Sequence, residues 1–334
     1  MSYKIKNLLV TGAAGFIGSN FVRYMLEHYS DIRVISLDKL TYAGNKSNLA
    51  AVEHAKNHIF VQGDILDKAL VLSILRQYEI DTIAHFAAES HVDNSINNPQ
   101  IFLETNIIGT FTLLESARHY WTDEKNWDSE YCRFHHVSTD EVYGSLDEHD
   151  HPFTELNAYQ PNSPYSASKA GSDHIVRAFF HTYKLPVITS NCSNNYGPNQ
   201  HKEKLIPKVI DSCIHRKPIP VYGNGKNIRD WLFVIDHCEA IDLIIRKGVV
   251  GDVYNIGGNN ELDNLSLIKT ICHIMDDLMP LGTPYESLIN FVADRKGHDK
   301  RYAIDNSKIY RELGWSPKGD FHCKLMSTIQ HYLG

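Results

Sequence analysis

The sequence predicts an α/β chain built on a doubly wound, mostly parallel sheet, with a smaller C-terminal substrate domain interleaved into it. Three observations carry this expectation. Six short apolar runs are spaced between helical patterns from residue 7 to residue 190, the alternation that places crossover helices on both faces of a parallel sheet. The first run ends in a glycine turn that opens directly into a helical pattern. After Asn191 the punctuation changes to Pro198, Pro207, Pro218, Pro220 and the turn Gly223-Asn224-Gly225, which marks a different unit.

Taken in order, Asn7 to Val10 form the first strand, and Thr11-Gly12-Ala13-Ala14-Gly15-Phe16-Ile17-Gly18 follows, with helical spacing through Phe21, Val22, Met25 and Leu26. Here Gly12 permits a tight turn, Gly15 the close approach of a pyrophosphate, and Gly18 the packing of helix on strand. The helix N-terminus presents free N–H groups to phosphate. The second strand, Arg33 to Leu37, ends in Asp38, an acid that suits a ribose 2′-hydroxyl and repels a 2′-phosphate. The expected cofactor is therefore NAD rather than NADP, on a Rossmann-type sheet. A third strand covers His58 to Ile65, with Asp64 either reaching the adenine or capping the next helix. A fourth covers Thr82 to Ala88, whose small residues leave room beside a cofactor.

Pro99 to Tyr120 reads as one long helix, apolar on more than one side through Phe102, Leu103, Ile107, Ile108, Phe111, Leu113 and Leu114. Such a helix is expected to be covered twice, by the sheet and by a partner subunit. The fifth strand, Arg133 to Val137, precedes Ser138-Thr139-Asp140-Glu141; a helix opens at Tyr165, and Leu185 to Ser190 is the sixth strand. The cofactor domain is expected over residues 1–190, with returning segments near 228–258 such as Val253 to Ile256, and the substrate domain mainly over 191–334.

Ligands of such a sheet gather at the carboxyl ends of its strands, and the chemistry-bearing residues fall there. Tyr165 and Lys169, four apart on a helix, stack on one face, so that the ammonium favours the ionised phenol. A phenol with an ordinary pKa near ~10 is otherwise a poor base. Thr139 can hold a substrate hydroxyl against the phenolate. A tyrosine and lysine at this spacing also recur by chance on solvated helix faces, and the surrounding motifs give the pair its weight. Asp140 and Glu141 add two adjacent carboxyls, which in a dry pocket push their pKa values apart. Adjacent strand residues point to opposite faces, so the strand must break into loop at this pair, as Gly144 suggests. In the second domain Lys204, Arg229, Arg295 and His298, with Asn264, suit a diphosphate.

The formal charge of −7 argues against nucleic acid as the ligand. No apolar run reaches the ~18 residues of a membrane span. The N-terminal residues lead straight into a strand, so a cytoplasmic protein is expected. The six cysteines form no CxxC pair and are expected to be reduced, and the nineteen histidines lack metal-ligand spacing, so no metal is expected.

Taken together, GxxGxxG, the acid after the second strand and YxxxK resemble the extended short-chain dehydrogenase/reductase superfamily. Within it the chain is similar to the dTDP-glucose 4,6-dehydratase family through LDKLTYAGN at 37–45, HFAAESHVDNS at 85–95, ETNIIGT at 104–110, STDEVYG at 138–144 and SPYSASKAGSDH at 163–174. NCSNNYGPNQ at 191–200, EKLIP at 203–207, IRDWLFV at 228–234 and DRKGHDKRYAID at 294–305 extend the resemblance over nearly the whole chain. The resemblance implies a catalytic set of Thr139, Asp140, Glu141, Tyr165 and Lys169, with Asp140 as acid and Glu141 as base. It implies tightly held NAD on Gly12, Gly15, Phe16, Ile17, Gly18, Asp38, Lys39, Thr41, Asp64, Ile65, Ala87, Ala88, Ser90, Thr105, Tyr165, Lys169 and Asn195. It implies dTDP-glucose on His91, Thr139, Asn194, Lys204, Leu205, Pro220, Tyr222, Arg229, Asn264, Arg295 and His298, and a homodimer joined by the helices at 99–120 and 165–184 as a four-helix bundle. Lys296, Asn199 and Lys202 depart from the family's usual proline, tyrosine and proline. The competing expectations are a dehydratase of UDP- or CDP-sugars, a sugar-nucleotide 4-epimerase, for which the two acids have no work, and a non-catalytic NAD-binding sensor.

Overall fold

The computed structural model describes residues 2–280, 282–294 and 297–334. Strand and helix alternate first as β1 (Asn7–Thr11), α1 (Phe16–His28), β2 (Arg33–Asp38), β3 (His58–Gln62), α2 (Lys68–Gln77) and β4 (Thr82–His85). There follow α3 (Val92–Asn97), α4 (Pro99–Phe102), α5 (Thr110–Arg118), β5 (Arg133–Thr139), α6 (Pro164–Tyr183) and β6 (Val187–Cys192). The remainder comprises β7 (Asn194–Tyr196), α7 (Leu205–His215), β8 (Ile219–Tyr222), β9 (Ile228–Phe233), α8 (Val234–Lys247) and β10 (Val253–Ile256). The last elements are β11 (Glu261–Asp263), α9 (Asn264–Leu278), β12 (Ile289–Val292), α10 (Ser307–Leu313) and α11 (Phe321–Leu333).

Seven strands form one parallel sheet in the order β3-β2-β1-β4-β5-β6-β10. The order reverses between β1 and β4, which opens a crevice at their carboxyl ends. Both faces are covered. Leu8 and Val10 of β1 enter a core with Phe21 and Met25 of α1 and Ile241 and Ile244 of α8, whereas Leu9 enters a second core with Ile83, Phe134, Leu113 and Val176. Alternation along the strand thus feeds two apolar layers, which is why these strands read as unbroken apolar runs. Smaller sheets, β11-β9-β7 and β12-β8, lie with α7, α9 and α11 around a third core that includes Val209, Ile271 and Ile329. Only Ser193 separates β6 of the large sheet from β7 of the small one, and β9 runs into α8 with no intervening residue. Among the described residues no helix is long and apolar enough to cross a membrane.

Several elements depart from the expected bounds. β3 stops at Gln62 and β4 at His85, because Gly63 N–H to Asp38 O and Phe86 N–H to Thr11 O are their last backbone-to-backbone bonds to neighbouring strands. The helix expected over 99–120 is continuous but runs on to Glu124. It contains π-helical turns at Leu103–Gly109 and His119–Glu124. The first of these sets the Asn106 side chain on the 88–91 segment, where it exchanges hydrogen bonds of 2.9 and 3.0 Å with the Glu89 backbone and donates to Ser168 Oγ at 2.8 Å. Helix α6 is started by Pro164 and a reciprocal Ser163/Ser166 capping box.

Phe134 is fully buried in the second core, whereas Phe291 is 56% exposed. Phe134→Ala should lower unfolding stability in urea by roughly 3–5 kcal/mol, and Phe291→Ala by no more than about 0.5 kcal/mol. Equal effects would refute this assignment of the core.

Candidate active site

The carboxyl end of β5 is the floor of the site. Thr139 is its last residue, and the chain then tightens into a single 3₁₀ turn, Asp140–Tyr143. The turn ends at Gly144, whose φ of +95° and whose Cα, where a Cβ would lie 2.5 Å from Gln160 O, leave no room for a side chain. This break lets Asp140 and Glu141 share one side of the sheet edge. The Thr139 hydroxyl accepts from Glu141 N–H at 3.3 Å and donates to Asp140 Oδ1 at 3.3 Å. From α6, Tyr165, Lys169 and Asp173 follow at successive turns, all three buried against β5.

Burial dominates the electrostatics. It pushes Asp140 well above the usual carboxylate range, reinforced by the charges of Glu141 and Asp230 and opposed by Arg229 and the Thr139 bond. Burial thus favours the protonated form of Asp140, whose Oδ2 is buried without a hydrogen-bond partner among the described residues. Tyr165 is also raised well above its ordinary value, first by burial and then by Glu141 and Cys192, with the Thr139 hydroxyl acting the other way. The expected action of Lys169 on the phenol is not the leading effect here. Its ammonium donates to Val137 O at 2.8 Å, and burial lowers its pKa while Asp173 and Cys192 hold it up.

Asp173 was not singled out by the sequence, although it follows Lys169 at the same spacing that links Lys169 to Tyr165. Its carboxylate accepts from Ser138 Oγ at 2.7 Å and lies 3.0 Å from His136 Nε2, and burial raises it to about 6 against the pull of Lys169. Cys192 lines the same cleft, its thiol pushed up to about 12 by burial. The four-residue spacing was the one local signal for Asp173, and none marks Cys192, because β5, β6 and α6 meet only in the fold.

One continuous cleft is lined by Gly12, Gly15, Phe16, Ile17, Asp38, Lys39, Thr41, Asp64, Ile65, Ala87, Ala88, Ser90, Thr105 and Asn195, and also by Thr139, Asp140, Glu141, Tyr165, Lys169, Asn194 and Lys204. Gly18 lies beneath it, where a Cβ would come within 2.2 Å of Gly12 O. Gly12 has φ +68°, and a Cβ there would stand 2.7 Å from Ala87 N. α1 starts at Gly15 with no side-chain cap, so its first N–H groups are left for a ligand. Asp38 is already partly engaged, accepting from Ala14 N–H at 2.8 Å and Leu40 N–H at 2.7 Å. Asp64 is held by Lys39 at 2.7 Å, and the cap of α2 is Asp67, which resolves the alternative left open for Asp64. Buried Asn194 Oδ1 has no hydrogen-bond partner among the described residues. A glycine cradle, an uncapped helix start and orphaned polar atoms along one cleft fit a dinucleotide beside a polar substrate.

The remaining candidates lie outside the lining of this cleft. His91 caps α3 and stands 3.9 Å from Glu203. Leu205 and Asn264 open α7 and α9, and Pro220 and Tyr222 lie on β8. His298 is bound to Asp294 at 2.7 Å. Arg229 donates to Ile228 O and Asp299 O and stacks over Tyr302 at 4.3 Å. Arg295 and Lys296 fall outside the described residues. Among the described residues no group of three or more His, Cys, Asp or Glu side chains is placed to hold a metal ion.

Residues 9–327 match the family model described as GDP-mannose 4,6 dehydratase. A dTDP-glucose 4,6-dehydratase of Xanthomonas campestris pv. campestris is 55% identical over 97% of this chain and 92% of its own. The chain belongs to the dTDP-glucose 4,6-dehydratase family. Among solved structures, that of the dTDP-glucose 4,6-dehydratase DesIV from Streptomyces venezuelae, which holds NAD, is similar at 47% identity and a TM-score of 0.89, covering 98% of this chain and 97% of that one. The family shares its fold with epimerases: the UDP-glucose 4-epimerase of Thermotoga maritima is 27% identical with a TM-score of 0.85, covering 98% of each chain.

The raised pKa of Asp173 has a stability consequence. Between its unfolded value of 3.8 and about 6, the folded chain keeps a proton that the unfolded chain releases. The group therefore stabilises the fold at low pH, and that contribution is lost as pH rises through about 6. The stability difference between wild type and Asp173→Asn, from urea titrations at several pH values, should fall by about 3 kcal/mol across this window. A difference independent of pH would contradict the assigned environment.

Proposed function

We propose that this protein converts dTDP-glucose to dTDP-4-keto-6-deoxy-glucose and water. The observation that carries the reading is a fully buried carboxyl, whose protonated form burial favours, placed directly before a second carboxyl at the end of the strand that faces the Tyr165-Lys169 pair. An epimerase needs no such acid, and a cofactor sensor needs none of these groups.

The backbone at Gly12 and Gly15 would receive the pyrophosphate of NAD, Asp38 the ribose, and Asp64 and Ile65 the adenine. When bound, the cofactor accepts a hydride from carbon 4 of the sugar and returns it to carbon 6. Tyr165 takes the proton of the 4-hydroxyl, oriented by Thr139, and Lys169 stands one helical turn away, held by Val137 O. The new ketone acidifies carbon 5, whose proton passes to Glu141. Asp140 protonates the departing 6-hydroxyl through its free Oδ2, which leaves as water. Glu141 returns its proton to carbon 5 as the hydride arrives at carbon 6. Lys204, Arg229 and His298, with Arg295, are assigned to the diphosphate and nucleoside. Thymine and uracil differ by one methyl, which a pocket discriminates by only ~1–3 kcal/mol.

Purified protein incubated without added NAD, separately with dTDP-glucose and UDP-glucose, should remove one water from the dTDP sugar, read by mass. Unchanged mass with conversion to the galactose isomer would instead mean an epimerase.

A homodimer is part of the proposal. Ile101, Leu103, Ile108 and Phe111, on the helical stretch from α4 to α5, are between 38% and 51% exposed, and Tyr183 at the end of α6 is 50% exposed. These two helices would form a four-helix bundle with a second copy. Sedimentation should give a dimer, and Phe111→Glu should shift it toward monomer; a monomeric wild type would remove this part.

A further inference from the structure

The turn that carries Asp140 and Glu141 is four residues long, and a 3₁₀ turn has poor internal hydrogen-bond geometry, so its place is set from outside. Its last residue, Tyr143, stands outside the lining of the cleft and is buried. The ring stacks on Phe153 at 5.2 Å and stands edge-on to Tyr159 at 5.2 Å. Its hydroxyl accepts from Asn191 Nδ2 at 2.8 Å and donates to Asn255 Oδ1 at 2.9 Å. Asn255 Nδ2 in turn donates to Phe153 O at 2.9 Å, which leaves the amide oxygen for the phenol.

Both asparagines belong to the large sheet. Asn191 lies on β6 opposite Ser138 of β5, and Asn255 lies on β10 opposite Asn191, so the three form one row across the sheet. That row is one residue short of Thr139, where β5 ends. Tyr143 therefore reaches back from the far end of the turn to the strands beside its near end. Two backbone bonds also close the turn, Gly144 N–H to Glu141 O at 3.3 Å and Gln160 N–H to Val142 O at 2.9 Å. Those come from loop, whereas the Tyr143 hydroxyl ties the turn to β6 and β10.

Elimination needs Asp140 and Glu141 to meet neighbouring carbons of one sugar. A misplacement of about 1 Å costs such a step roughly 10²-fold. Oxidation at carbon 4 draws on Tyr165 and Lys169, which are anchored separately, by the capping box of α6 and by Val137 O. We propose that the Tyr143 hydroxyl is a positioning group for elimination, holding the turn against β6 and β10 so that Asp140 and Glu141 address carbons 6 and 5 together. The assignment rests on the dehydratase reading above and adds to it a residue outside the cleft.

The test is rapid mixing of the holoenzyme with dTDP-glucose. The near-ultraviolet absorbance of reduced NAD follows oxidation at carbon 4, and its decay, with the mass of the product, follows elimination and hydride return. Tyr143→Phe keeps the stacked ring and removes only the hydroxyl. In this variant the rise should stay within roughly twofold of wild type, while kcat falls at least roughly tenfold and reduced NAD accumulates. Deuterium at carbon 5 of the substrate should then slow the decay and leave the rise unchanged. Asn191→Ala, which removes the donor to the same hydroxyl, should give the same split, and the double variant should lose no more than the weaker single variant. A rise slowed as much as kcat would overturn the proposal, because a general loss of structure slows both steps. So would an unchanged kcat, or losses in the two single variants that add in full. If one variant does not fold, the other decides by the same criteria; if neither folds, the hydroxyl holds the sheet rather than the turn and the proposal falls. Failure of the dehydratase reading looks different from all of these: wild type would release no water.

Discussion

Burying Asp140 with no ion pair at its carboxyl among the described residues is the constraint from which the site follows. A carboxylate in such a place costs several kcal/mol, and the group avoids that cost by keeping its proton. Neutrality turns a side chain that is normally a weak base into a proton donor at neutral pH. The surroundings reinforce the choice: Glu141 and Asp230 add negative potential, while Arg229 lies close enough to oppose them without overturning burial. Asp230 is itself held by Gly258 and Asn260 N–H groups, so its position is set by the small sheet. The acid therefore depends on both lobes of the protein.

The same physics acts on the other members of the site with different results. Burial disfavours the charged forms of Tyr165 and Lys169 alike. Asp173 counters the loss on the lysine side, anchored in turn by Ser138 and His136 of β5. A row of three side chains one helical turn apart thus carries a phenol, an ammonium and a carboxylate along one buried face of α6. The capping box at Ser163 fixes where that row begins.

Most of the fold was legible because its signals are local. Strand, glycine turn and helix at residues 7–28 and the acid at Asp38 depend on neighbours in sequence, as does the Tyr165-Lys169 spacing. The features that were not legible are set by distant contacts. The π turn at Leu103–Gly109 answers to Asn106 meeting Glu89 and Ser168, and no periodicity in a single helix announces it. The Asp64 ambiguity was decided by Asp67, three residues on, with nothing in composition to separate the two acids. Lys169 was read as a partner of the phenol from helix geometry alone, and its hydrogen bond to Val137 O needed the strand. Several substrate candidates lie on loops and strand ends of the small lobe, away from the cleft lining, so the sequence named them without locating them.

The crossing of the chain between lobes bears on how the protein is made. Passage from β6 to β7 takes one residue, and β9 passes into α8 without a loop, so neither lobe is a contiguous stretch of sequence. The strand that finishes the large sheet, β10, begins only at Val253 of a 334-residue chain. During synthesis the sixth strand must wait at an open edge while the small lobe is still being made. Until Val253 to Ile256 arrive, β6 presents unpaired backbone groups to anything nearby. Exposure on the ribosome, rather than in the finished molecule, is the period of greatest aggregation risk for this chain.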